Sequence, residues 1–179
     1  MAPQEIITFW FEEIDSSLWW IKDDGFDALI QRRFKKIHQQ AANNELFSWR
    51  STALGSLAEI IILDQFSRNM YRDTPNAFAF DNQALCLSQF AIEKGYDLTL
   101  KETHRSFMYL PFMHSESALI HQEALMLYQR LGNEGNLSFE LKHKTIIDRF
   151  GRYPHRNHIL GRQSTPEEIE FLKEPNSSF

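Results

Sequence analysis

Arginine and histidine crowd one stretch of this chain. Arg149-Phe-Gly-Arg-Tyr-Pro-His-Arg-Asn-His-Ile-Leu-Gly-Arg162 holds four arginines and two histidines in a protein whose formal net charge is −5. Guanidinium forks suit bidentate capture of a carboxylate or phosphate, and a histidine held among them is biased toward its neutral, basic form. Gly151 frees the backbone and Pro154 stiffens it, so Arg152, His155 and Arg156 project from one restricted segment, flanked by Arg149 and Asn157. The interleaved Phe150, Tyr153 and Pro154 favour burial over an open charged run.

Two further blocks carry chemistry-bearing side chains. In Asp64-Gln-Phe-Ser-Arg68-Asn69-Met-Tyr-Arg72, Asp64 continues the apolar stripe of Leu57 and Ile61, and Arg68 follows one helical turn later in the favourable acid-before-base order. In Arg105-Ser-Phe-Met-Tyr109-Leu-Pro-Phe-Met-His114-Ser-Glu116, Glu116 aligns with Ile120, Ala124 and Leu127, while His114 stands just before a helix cap. Three uses of these groups are open. The first is a pocket for an anionic small molecule or peptide group, built from Asp64, Arg68, Asn69, Glu116 and the arginine segment. The second is hydrolysis or group transfer with His155 or His114 as general base or acid and arginines holding the substrate. The third is a structural network in which Asp64, Asp81 and Glu116 saturate the arginines.

Other chemistries find little support. His114, Glu116 and His121 can be assembled into a zinc set, but the His-Glu-x-x-His spacing and cysteine pairs are missing, so no metal is expected. Neither glycine-rich phosphate loop occurs, and no cofactor is expected. Cys86 is the single cysteine; it excludes an internal disulfide, lacks an adjacent base and favours a reducing, cytoplasmic setting. The longest apolar run, Ile60-Ile-Ile-Leu63, falls far short of the ~20 residues that span a bilayer, and no signal peptide is visible. The acidic balance argues against a nucleic-acid coat. Oligomeric state is not encoded in any feature; Trp19 and Trp20 either seed an interface or close the core.

The elements that must position these groups are helices. Periodic apolar residues predict helices over 3–14, 26–37 (Phe26, Leu29, Ile30, Phe34, Ile37) and 52–68, and over 77–94 up to Gly95. A helix over 101–110 is stopped before Pro111, and Ser115 caps one over 116–131 that Gly132 ends. A further helix through Phe139 and Ile147 ends at Gly151, and Thr165-Pro-Glu-Glu168 opens a short last one with a capping box. No strand alternation or internal repeat is present. An all-α domain of stacked antiparallel helices is predicted over residues 1–175, with 176–179 as a loose tail.

The blocks Phe9-Trp-Phe11, Trp19-Trp20, Leu63-Asp-Gln-Phe-Ser-Arg-Asn69, Ala77-Phe-Ala-Phe-Asp81, Tyr109-Leu-Pro-Phe-Met-His-Ser-Glu116 and Phe150-Gly-Arg-Tyr-Pro-His-Arg-Asn157 together resemble a known family. It is the mostly bacterial family of uncharacterised proteins called domain of unknown function nine hundred and twenty-four, and the likeness runs from Ile6 to Leu172. Ser67 and Tyr153 depart mildly, standing where relatives often have proline and phenylalanine. The resemblance implies a helical fold related to tetratricopeptide-repeat stacks. It implies no reaction, ligand or catalytic residue.

Overall fold

The computed structural model describes residues 1–175, 177 and 178, and helices make up all the regular structure among them. The fold is all-α. By packing, the chain groups into two compact units, the first of residues 1–72 and 76–111 and the second of 73–75 and 112–179.

In the first unit, α1 (Pro3–Thr8) runs on into a π-helical turn, Phe9–Glu13. Next come α2 (Asp24–Ala42) and α3 (Ala53–Ile61), which passes through a second π turn, Ile62–Phe66, into α4 (Ser67–Met70). α5 (Asp81–Glu93) follows, then α6 (Glu102–Met113), within which the unit boundary falls. The β-branched run 60–62 is helical because it is buried all round: Ile60, Ile61 and Ile62 are each at most 1% exposed. Aromatic rings make the core, Phe9 on Phe34 at 4.6 Å, Phe34 on Phe66 at 4.9 Å and Trp10 on Phe66 at 5.6 Å. Gly55 lets the start of α3 press against the preceding turn; a Cβ there would lie 2.0 Å from the Trp49 carbonyl oxygen.

In the second unit, α7 (Ala118–Leu131) and α8 (Glu134–Phe150) form an antiparallel pair closed by Gly132 at φ 80°. Gly151, at φ 67°, ends α8 and turns the chain into a 3₁₀ turn, Pro154–Arg156; α9 (Pro166–Phe171) closes the unit behind the Thr165 capping box. Ile146, Ile147, Tyr153 and Phe171 form its core, with Phe150 packed against them.

Several predicted boundaries move. α5 begins at Asp81 rather than 77, because 75–80 take up a 3₁₀ turn and a further turn. α6 continues through Pro111 to Met113: a proline this near a helix end removes one hydrogen bond, and the flanking Leu110, Phe112 and Met113 are buried. α7 starts at Ala118 with Ser117 as N-cap, so Ser115 caps nothing and Glu116 lies in the connection before the helix. Ser177, read as part of a loose tail, is buried, and its hydroxyl donates to the Leu172 carbonyl at 3.2 Å. The same reading for 176 and 179 falls outside the described residues.

Candidate functional site

The arginine segment is knitted into the second unit by carboxylates of the chain itself. Arg152 donates from Nε and Nη2 to the two oxygens of Glu168 at 2.7 and 2.9 Å. Arg162 does the same to Glu116, from Nη1 at 2.5 Å and Nη2 at 2.9 Å. Glu116 also accepts the Tyr153 N–H at 2.7 Å, and Glu168 accepts the Thr165 N–H at 2.7 Å. Asn157, fully buried, joins the two pairs: its Nδ2 donates to Ser164 Oγ at 3.0 Å and to Glu168 at 3.3 Å, and its Oδ1 accepts Arg162 Nε at 2.9 Å. The Arg152 fork holds the Glu168 carboxyl down at about 2 against the opposing effect of burial. Burial pushes the Glu116 carboxyl up, but the Arg162 fork and the Tyr153 amide outweigh it and leave it below its ordinary value.

The other two arginines differ. Arg149 is exposed, pairs with Glu167 at 2.9 Å and lies over the Phe150 ring at 4.7 Å. Arg156 is buried, with its guanidinium 4.7 Å above the Tyr153 ring. His155 is half-buried on the 3₁₀ turn, its ring 5.6 Å from that of Tyr153, and His114 is half-buried in the turn after α6.

Tyr153 is the centre of a histidine cluster. Its hydroxyl donates to the Met113 carbonyl at 2.5 Å and so faces His121 Nε2, 3.1 Å away, as an acceptor. His121 Nε2 also donates to the Ser115 carbonyl at 2.9 Å, and Nδ1 meets Glu140 Oε1 at 2.7 Å. Both His121 and Glu140 are 0% exposed, and burial raises the Glu140 carboxyl. Carboxylate, imidazole and phenol thus stand in relay order, yet sealed from any substrate. His143, 5.8 Å from the Tyr153 ring, donates from Nδ1 to the Phe139 carbonyl at 2.8 Å. Burial drives its pKa down to about 3, with His114, His121 and His155 adding repulsion.

In the first unit, Asp64 and Arg68 do pair, at 3.2 Å, but Arg68 makes its bidentate contact with Asp81, at 2.9 and 3.0 Å. Gln65 donates to the other Asp64 oxygen at 2.5 Å. Asn69 and Arg72 both converge on Asp27 of α2: Asn69 donates at 2.8 Å, and Arg72 at 2.6 and 2.8 Å. His38 Nε2 stands 2.7 Å from Ser67 Oγ, a spacing that suggests a nucleophile and its base. The polarity is wrong for that: Ser67 donates its only proton to the Leu63 carbonyl at 2.6 Å, so the histidine must donate to the serine.

Each expected site residue therefore falls within one of the two compact units. Asp64, Arg68 and Asn69 belong to the first unit; His114, Glu116, Arg149, Arg152, His155, Arg156 and Asn157 belong to the second. Among the described residues no three His, Cys, Asp or Glu side chains are grouped as a metal site requires, and no helix is long and apolar enough to cross a membrane.

A family model described as a bacterial protein of unknown function, DUF924, matches residues 6–176. The chain belongs to the DUF924 family. A solved structure of a protein of unknown function from Agrobacterium tumefaciens, ATU0120, is 40% identical, covers 96% of each chain and superposes with a TM-score of 0.91. No curated protein matches. Within this DUF924 chain, the partners that sequence reasoning missed are Asp27, Glu140, Glu168 and His143. Glu168 alone carried a local signal, its place in the Thr165 capping box; the others take part through folding.

Proposed function

We propose that residues 149–162 form an internal brace and that the protein works as a helical scaffold presenting its surface to other molecules, with no reaction centre on that segment. The observation that carries this reading is that the forks of Arg152 and Arg162 are both engaged bidentately by Glu168 and Glu116. A free carboxylate or phosphate would have to displace a tethered one, whose effective concentration is on the order of millimolar or higher. The same engagement weakens the catalytic alternative, since His155 or His114 would act without these two arginines to hold an anionic substrate. A reducing, cytoplasmic setting suits such a scaffold with its single cysteine.

The test is thermal-shift screening of the wild type and an Arg152→Ala, Arg156→Ala double variant against carboxylates, phosphates and peptides. The brace reading expects a lower melting temperature for the double variant and no anion that stabilises the wild type preferentially. An anion that raises the wild-type midpoint by several degrees, and does nothing for the variant, would establish the anion pocket instead.

A further inference from the structure

The first unit carries an aromatic surface that neither the brace nor the core accounts for. Trp20 is 65% exposed, yet its ring is seated, stacked on the buried Phe107 ring at 5.7 Å and 18°. Trp19 stands edge-on beside it at 6.1 Å and is fixed by its own Nε1–H, which donates to the Trp10 carbonyl at 3.0 Å. Phe11 continues the surface, edge-on to Trp19 at 5.8 Å and stacked against His104 at 4.1 Å. Trp19, Phe11 and His104 are half-buried, and Trp20, Trp19 and Phe11 all rest on the buried Phe107 ring, which makes a firm platform rather than a mobile loop tip.

The chain segment that carries the two tryptophans is mostly acidic. Residues 12–24 carry five carboxylates and a single lysine, Lys22. Glu13 is taken by Arg33, and Asp15 and Asp23 accept backbone N–H groups at the starts of the Ser16–Trp19 turn and α2. Glu12 and Asp24 are exposed and make no side-chain hydrogen bond or ion pair among the described residues. Lys101 and Glu12 both act on His104, so this edge of the platform carries a carboxylate beside a lysine, while Asp24 lies on the α2 side.

We propose that this face docks a basic peptide segment of a partner protein, with an arginine or lysine side chain laid across the Trp20 indole and Glu12 and Asp24 supplying the complementary charge. An exposed indole face is the best aromatic receptor for a cation, and nearby carboxylates steer the encounter. Two other occupants fit poorly. A second copy docked through the same face would bring like carboxylates together. An anionic membrane surface would be repelled by them. The inference concerns a different unit from the brace and stands independently of it.

The experiment is fluorescence anisotropy on the full chain with labelled peptides alternating arginine with serine, or glutamate with serine. Saturable binding is expected for the arginine peptide alone, weakened about tenfold by Trp20→Ala. A Glu12→Lys, Asp24→Lys variant should also weaken it and reduce its salt dependence; both positions are exposed, so this variant tests the idea even if Trp20→Ala folds poorly. Absence of saturable binding to the wild type overturns the proposal, as does binding by both variants that is as tight as the wild type's. So would a wild-type dimer in sedimentation that Trp20→Ala dissolves.

Discussion

Lowering the pH from 7 to 5 is expected to destabilise this protein through His143, by an amount that follows from its surroundings. The unfolded chain presents a histidine of ordinary pKa, about 6.5. In the fold the ring is buried, donates Nδ1–H to Phe139 and takes a second proton only near pH 3. The folded-state value is depressed, so the neutral ring costs nothing above the unfolded pKa, and stability is lost as pH falls from there toward the folded value. At pH 5 the unfolded chain is almost fully protonated at this site and the fold is not, a difference worth about 2 kcal/mol. Any folded value below about 4 gives the same figure, because pH 5 lies above it. Urea unfolding at pH 7 and pH 5 measures the loss, and His143→Asn, which keeps a donor near the Nδ1 position, isolates its origin. The variant should shed about 2 kcal/mol of the wild type's fall. If the two proteins lose the same stability over this interval, the burial argument for His143 fails.

Three other expectations follow from single contacts. His38, held near pKa 4 by burial, should behave similarly in the first unit, so His38→Gln removes a like share of the pH 7-to-5 loss in urea unfolding. Gly55→Ala should destabilise by about 1–3 kcal/mol, because the new methyl meets a backbone carbonyl that cannot rotate away; a midpoint within a degree of wild type would contradict this. Glu168→Gln should flatten the acid limb of the stability curve between about 4.5 and 2, where the wild-type carboxylate takes up its proton and loosens Arg152; an unchanged acid limb would place the loss elsewhere.

The helices were legible because their apolar stripes are local. Phe26, Ile30, Phe34 and Ile37, at helical spacing, are all buried, and Gly132 and Gly151 stop their helices at positive φ as their positions imply. The late start of α7 has a cause outside the helix, a side chain already committed elsewhere. Glu116 aligns with the stripe of α7, but Arg162 and the Tyr153 amide hold it in the preceding connection. The Asp64–Arg68 pair was readable from its spacing. The competing claim of Asp81, thirteen residues on, depends on tertiary structure, as does that of Asp27 on Arg72, forty-five residues back. A cationic run in sequence shows where charge accumulates; which carboxylates answer it is decided by the fold.

Asn157 has a mechanical implication. By touching both Arg162 and Glu168 it ties the loop after α8 back onto itself and onto the first turn of α9, in a chain whose lone cysteine can form no internal crosslink. The loop is stapled by guanidinium and amide instead of sulfur, and such staples are indifferent to the redox state of the surroundings. The amide hydrogens of Tyr153, Asn157 and Arg162, which are bonded to Glu116, to the Pro154 carbonyl and to the Asn157 carbonyl, should therefore exchange with solvent far more slowly than those of an unpinned loop.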